Sequence, residues 1–312
     1  MTIDLSQLAI VDAHHHLWEL GRFPYLWLAP NAPPARFGDH TLIKRNYLPA
    51  DYRADFAGFN LQGSVHVQAN CGANDPVAET KWLQLLSENT CTPNAIIAEL
   101  DLCQADAPQL IARHAESPLL RGVRAMVAWD AEGRWRFADR PGVLLEPAFR
   151  RGAQALIERN LSLDLVAVPS QLTEIADLAA AMPDLRIALN HLGQPEPGQP
   201  DSGQAEPSQA GNQDIWYRGI EELKLLDNVS IKASGLWTID KSWRPDQLRP
   251  FVTHVLNTFG AHRVMYGSNL PVEKVNTSAA TQIRTLAEIL ADFPIDDLQK
   301  VLSGTAKDFY RI

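Results

Sequence analysis

Eight short runs enriched in aliphatic and β-branched residues, most of them followed by a helix-length segment, predict a closed (β/α)8 TIM barrel. Two further observations support that class. Eight strand–helix units fit a single domain spanning residues 1–312, and no glycine-rich phosphate loop marks the competing open, doubly wound sheet.

The predicted strands are residues 9–13, 64–68, 95–99, 122–127, 163–168, 186–190, 229–233 and 263–266. Helical periodicity is expected over 75–88, 107–116, 146–160, 171–182, 216–225, 246–259 and 278–291. Two segments fall outside the repeat. Residues 18–55 are rich in proline, glycine and aromatics, with Phe23-Pro24-Tyr25-Leu26-Trp27 and Asn31-Ala32-Pro33-Pro34. They leave the first strand at the rim where barrels build active sites, which suits an excursion that covers a substrate. Residues 193–214 are dense in Pro, Gly, Gln and Ser and nearly free of apolar side chains, the composition of a flexible surface insertion after strand six.

Composition removes several function classes. The formal net charge of −9 opposes attraction to nucleic acid or to an anionic membrane. No uninterrupted apolar stretch reaches the roughly 20 residues that cross a bilayer, and residues 1–8 lack the basic-then-apolar pattern of a leader. Three cysteines, Cys71, Cys91 and Cys103, show no CxxC spacing, which fits a reduced, cytoplasmic setting. A homo-oligomer is compatible with this composition.

The strongest chemical signal is Asp12-Ala13-His14-His15-His16 at the end of the first strand. Side chains alternate along a strand, so His14 and His16 point the same way about 6 to 7 Å apart and can meet on one atom. Neutral imidazoles so placed suit zinc or a similar divalent ion, or proton transfer. His191, in Asn190-His191-Leu192-Gly193 after strand six, adds a third imidazole from across the ring. Two structural alternatives stand beside these readings: histidines that simply cap a strand, and aromatics, Trp18, Tyr25 and Trp27, that anchor the excursion rather than stack on a sugar ring.

Other polar residues occupy strand ends. His66, Gln68 and Asn70 share one face of strand two, and His66 and Gln68 are candidates to hydrogen-bond a substrate, against a purely bracing role. Arg124 on strand four needs an anion if it enters the barrel: a substrate group, or else Glu99 or Asp101. Lys232 on strand seven is placed similarly. Trp18 joins Arg124, Lys232, His66 and Gln68 as a candidate substrate contact.

Taken together, the segments DAHHHLW, NHLGQP and MYGSNLPV resemble the lactonase branch of the amidohydrolase superfamily over nearly the whole chain. That branch includes L-fuconolactonase, L-rhamnonolactonase and 2-pyrone-4,6-dicarboxylate lactonase. The resemblance implies hydrolysis of a sugar-acid lactone or related carboxylated ring, with His14, His16 and His191 as catalytic groups or as ligands of one divalent metal, zinc for preference. It also aligns Asn269 with a position where many members carry an aspartate base. An amide cannot accept that proton, although it can orient water or bind a carbonyl oxygen. Lactone isomerisation is therefore an alternative within the enzymes. A decarboxylase would call for a fuller ligand set, and a non-catalytic barrel that binds a sugar acid is the alternative of another class.

Overall fold

The computed structural model describes residues 4–196 and 207–312. Eight strands lie side by side in sequence order, every neighbouring pair parallel: β1 (Ala9–His15), β2 (Asn60–Val67), β3 (Ala95–Glu99), β4 (Leu120–Met126), β5 (Ser162–Val166), β6 (Ile187–Leu189), β7 (Val229–Ala233) and β8 (Val264–Tyr266). This is the predicted (β/α)8 barrel. Its last seam closes beyond β8, where His16 N donates to Leu270 O at 2.7 Å and Asn269 N to His14 O at 2.6 Å. The seam therefore joins the two segments that carry the histidine pair and Asn269.

The helices are α1 (Pro49–Asp55), α2 (Ala78–Thr90), α3 (Ala107–His114), α4 (Pro147–Ile157), α5 (Leu172–Ala181), α6 (Pro207–Leu223), α7 (Leu236–Ile239), α8 (Pro245–Phe259), α9 (Ala279–Ile289), α10 (Ile295–Gln299) and α11 (Thr305–Tyr310). Proline opens α1, α4 and α8, where its missing N–H costs nothing. Ser278 caps α9 by accepting from Thr281 N at 3.2 Å. No described helix is long and apolar enough to cross a membrane.

Strands β6 and β8 are three residues each, shorter than their aliphatic runs suggest. β8 gives up its first expected residue, Arg263, to the 3-10 turn Ala261–Arg263, and beyond β6 His191 adopts left-handed backbone with φ of 57°, through which a ladder cannot continue. The 18–55 excursion is more regular than its composition implies. It holds α1 and two 3-10 turns, Leu26–Leu28 and Thr41–Ile43. Of the predicted insertion 193–214, residues 197–206 lie outside the described residues.

Val11, Ala13, Val65, Val67, Ala95, Ile97, Ala188 and Met265 pack together with Ala306 and Tyr310 of α11. A register shift between Asp12 and His15 in the β1–β2 pairing breaks strict alternation. Asp12 and His15 both meet Tyr52 of α1, the first by a 2.9 Å hydrogen bond and the second by ring stacking at 4.1 Å. His14 and His16 lie on the opposite side, toward the interior.

Candidate active site

Three imidazoles meet where β1 and β6 end. The ring of His14 lies 5.1 Å from that of His16 and 4.8 Å from that of His191, centroid to centroid. The Nδ1 of His16 is 2.7 Å from Val67 O, and its Nε2 is 3.2 Å from Asn269 Oδ1. The Nδ1 of His191 lies 2.9 Å from Ser234 Oγ, which leaves Nε2 for the cavity. Among the described residues neither nitrogen of His14 has a hydrogen-bond partner, although the side chain is fully buried.

Burial holds all three rings neutral. It is the largest influence on each, pushing His16 down to about 3 and His14 and His191 well below the usual imidazole range, with Lys232 and Arg124 adding positive charge nearby. Neutral rings keep lone pairs for a proton or a cation. Among the described residues, no group of three or more His, Cys, Asp or Glu side chains already stands around one ion-sized point.

Close backbone approach makes the cluster possible. A Cβ added at Gly267 would lie 2.6 Å from His14 Cβ, and one added at Gly235 would overlap the His191 ring. Asp12 locks the seam. Its carboxylate accepts from Ser268 N (2.7 Å), Ser268 Oγ (2.6 Å), His14 N (3.1 Å) and Tyr52 Oη (2.9 Å). Burial nevertheless raises it to about 6, against the pull of those four donors.

A cavity of about 330 Å³ opens on this floor, within the range of small-molecule sites. His16, His191 and Asn269 line it, with walls of Trp27, Phe37, Met126, Trp135, Val166 and Val272. Its polar contributors are Arg36, Asn70, Arg124, Gln194 and Thr238. The 18–55 excursion supplies Trp27, Ala35, Arg36 and Phe37, so it does form one wall. The Arg36 guanidinium lies 3.8 Å over the Trp135 ring and donates to Thr238 O at 3.3 Å.

The structure brings His16, His191, Asn269 and Arg124 to this cavity and sets His14 directly behind them. Gln68 lines an adjoining cavity of about 460 Å³ that shares Asn70, Arg124, Met126 and Phe137 with the first. Arg124 donates to Gln68 O at 2.7 Å, and among the described residues its Nε has no partner and it forms no ion pair with Glu99 or Asp101.

Trp18, His66 and Lys232 do not reach the cavity lining. Trp18 Nε1 donates to Arg45 O at 2.7 Å, and its ring packs against Trp27 and Tyr47. His66 Nε2 lies 3.3 Å from Leu17 O, and Lys232 is paired with Asp164 in the interior. All three are fully buried.

Sequence reasoning passed over Arg36, Gln194, Thr238 and Asp12. Arg36 and Thr238 come from irregular rim segments that carry no periodicity. Gln194 sits in a left-handed turn with φ of 58°, legible only as part of the Leu-Gly-Gln sequence after His191. Asp12 had a signal, its place two residues before His14.

The comparisons with known proteins agree with the fold. A family model described as Amidohydrolase matches residues 11–312. An L-fucono-1,5-lactonase from Burkholderia ambifaria is 31% identical over 308 residues, covering 97% of this chain and 95% of that protein. An L-fucono-1,5-lactonase from Burkholderia multivorans is 28% identical, covering 97% and 96%. A crystal structure of an amidohydrolase from Burkholderia multivorans with bound zinc superposes with a TM-score of 0.78 over 97% of this chain and 99% of that one, at 23% identity, a likeness of fold.

Proposed function

The chain belongs to the amidohydrolase family, and we propose that it hydrolyses the ring ester of a sugar-acid lactone or related carboxylated ring. The observation that carries this reading is the meeting of His16, His191 and Asn269 at the floor of one mostly apolar cavity rimmed by hydrogen-bonding groups. The 31% identity to an L-fucono-1,5-lactonase supports the ester as the bond attacked.

In this reading a lactone lies between the aromatic walls with its carbonyl toward the floor. Water attacks the carbonyl carbon while His191, whose Nδ1 is held by Ser234, takes the water proton on Nε2. The developing oxyanion is met by Arg124, whose buried Nε is an unused donor. The ring C–O bond then breaks, and the leaving alkoxide recovers the proton from His191. Asn269 cannot act as base, so it orients water or carbonyl beside His16.

The buried, unpartnered nitrogens of His14 and the all-imidazole donor set fit a divalent cation, zinc above others. His14, His16 and His191 would hold it, His191 through the same Nε2 and so in place of its role as proton acceptor, and when bound such an ion would acidify water or polarise the carbonyl. Elemental analysis of the wild type beside His14→Asn tests that assignment.

The reaction itself is tested by replacing His191 and Asn269 separately with alanine and assaying a panel of aldonolactones. A fall in kcat/KM of about 100-fold or more is expected for each. Undiminished turnover in both variants removes the assignment, and a product of unchanged mass would identify lactone isomerisation instead.

A further inference from the structure

Beside the cavity of about 330 Å³ lies a second of about 460 Å³, and the two meet along Asn70, Arg124, Met126 and Phe137. The first stands at the small end of the roughly 300–1,000 Å³ that small-molecule sites occupy, a size suited to a single ring. The second takes no part in the reaction proposed above, although it opens on the same Arg124 side chain.

The junction is built of groups that a sugar ring would use. Phe137 is 51% exposed, yet it is held in place: its N–H donates to Ala128 O at 3.0 Å, and its ring meets the buried Trp135 edge-on at 5.6 Å. A fixed aromatic with an open face offers apolar surface to the C–H face of a pyranose. Asn70 adopts left-handed backbone, with φ of 50°, and its N–H donates to Gln68 Oε1 at 2.6 Å. Among the described residues its side-chain amide makes no hydrogen bond, so a donor and an acceptor stay open there.

The charges indicate what that ring lacks. Arg136 and Arg140 line the second cavity, but their guanidinium groups are already engaged. Arg136 donates to Trp135 O at 2.8 Å and lies 4.9 Å over the Trp129 ring, while Arg140 grips Glu146 at 2.7 and 2.9 Å. Glu99 is exposed at the end of β3, opposite Arg124 of β4, and among the described residues it forms no ion pair. Asp101 and Asp139 add two more carboxylates to the lining. An anionic group placed here would meet like charge, whereas hydroxyl groups can donate to Glu99 and to Asn70.

We infer that the second cavity is a subsite for an uncharged sugar ring, so that the preferred substrate is a sugar-acid lactone carrying a neutral glycosyl group. The inference rests on the proposed function for the lactone ring, which the first cavity receives. With its carbonyl oxygen toward Arg124, that ring has the second cavity as its neighbour, and a glycosyl substituent crosses at Phe137. Binding energy from the ring that does not react then holds the one that does, and it appears in kcat/KM.

The test compares D-gluconolactone with lactobionolactone, cellobionolactone and maltobionolactone, which carry the same lactone ring with three different neutral glycosyl groups. At least one disaccharide lactone is expected to show a kcat/KM about tenfold above that of D-gluconolactone. Values at or below it for all three would overturn the inference, as would a preference for the glucuronosyl counterpart of cellobionolactone. In Phe137→Ala and Glu99→Gln the ratio of the two kcat/KM values is expected to fall about fivefold or more, and an unchanged ratio in both would also overturn it. A ratio of two substrates on one protein does not depend on the fraction folded. If none of the four lactones is turned over, calorimetry makes the same comparison with lactobionate, cellobionate and maltobionate against D-gluconate. Tighter binding of a disaccharide acid keeps the subsite, and equal or weaker binding of all three removes it. A wild type that turns over no lactone of any kind removes the proposed reaction, and the calorimetric outcome still decides the subsite.

Discussion

Lys232 Nζ lies 2.5 Å from Asp164 Oδ2 and 2.7 Å from the carbonyl oxygen of Ala13, with both charged side chains fully buried inside the barrel. Tyr310 Oη of α11 and Asn190 Nδ2 complete the shell of Asp164 at 2.9 and 3.1 Å. Lys232 therefore ties β1, β5 and β7 together beneath the imidazoles.

Breaking such a pair on one side leaves a buried charge without a partner. Lys232→Met and Asp164→Asn are each expected to cost about 3–5 kcal/mol, read as a lowered urea midpoint, and the double variant to cost less than their sum. The lysine lies outside the cavity lining, so KM for the lactone should stay within about threefold in folded Lys232→Met. A large rise in KM with an unchanged midpoint would restore a direct substrate contact.

The barrel and its floor were legible in the sequence for a physical reason: strand runs and strand-end histidines obey local periodicity. β3 and β7 fall where their aliphatic runs place them, and the His14–His16 pair follows from alternation across two residues. Depth was not legible. Lys232 and Arg124 look alike as basic residues inside a strand run, yet one is consumed by Asp164 and the other reaches the cavity, a difference set by partners 68 and 56 residues away. Nor could alternation show the register shift that turns Asp12 and His15 to the same side. The walls from Arg36, Gln194 and Thr238 belong to loops whose path depends on long-range contacts.

Glu79 gives stability a pH dependence of predictable sign. It is buried in α2 and accepts from Ala69 N at 3.2 Å, and burial together with nearby Glu99 raises it to about 8. A carboxyl whose folded affinity for protons exceeds its unfolded one makes the folded state bind more protons between those two values. Stability then falls as pH rises from about 4.5 to about 8. Glu79→Gln should remove that loss: little change at pH 5, and at pH 9 a gain over wild type of roughly 3–5 kcal/mol, reduced by any lost hydrogen bond. Denaturant titrations at the two pH values check it, and equal effects at both would refute the assignment.

Gly235 is expected to tolerate no side chain. Its φ is +63°, and an added Cβ would occupy the His191 ring position. Gly235→Ala must displace His191 from Ser234, so kcat/KM should fall about 100-fold or more, while Gly211→Ala, in open space on α6, should leave activity unchanged. Wild-type kinetics in Gly235→Ala would show that the His191 position is not used.

Gln194 separates binding from stability. Its side chain is buried at the cavity wall, and among the described residues Oε1 has no partner. An unsatisfied buried acceptor costs about 1–3 kcal/mol, a cost that a hydroxyl on a bound ring would offset by donating to it. Gln194→Met keeps length and removes the acceptor. The expected result is a Tm equal to or above wild type with KM for a polyhydroxylated lactone raised about tenfold and kcat changed little. A lactone lacking the ring hydroxyl should bind both proteins equally. If Gln194→Met instead lowered Tm and left KM alone, Gln194 would be a structural residue of the turn after His191, and substrate hydroxyls would have to be read by Asn70 or Thr238.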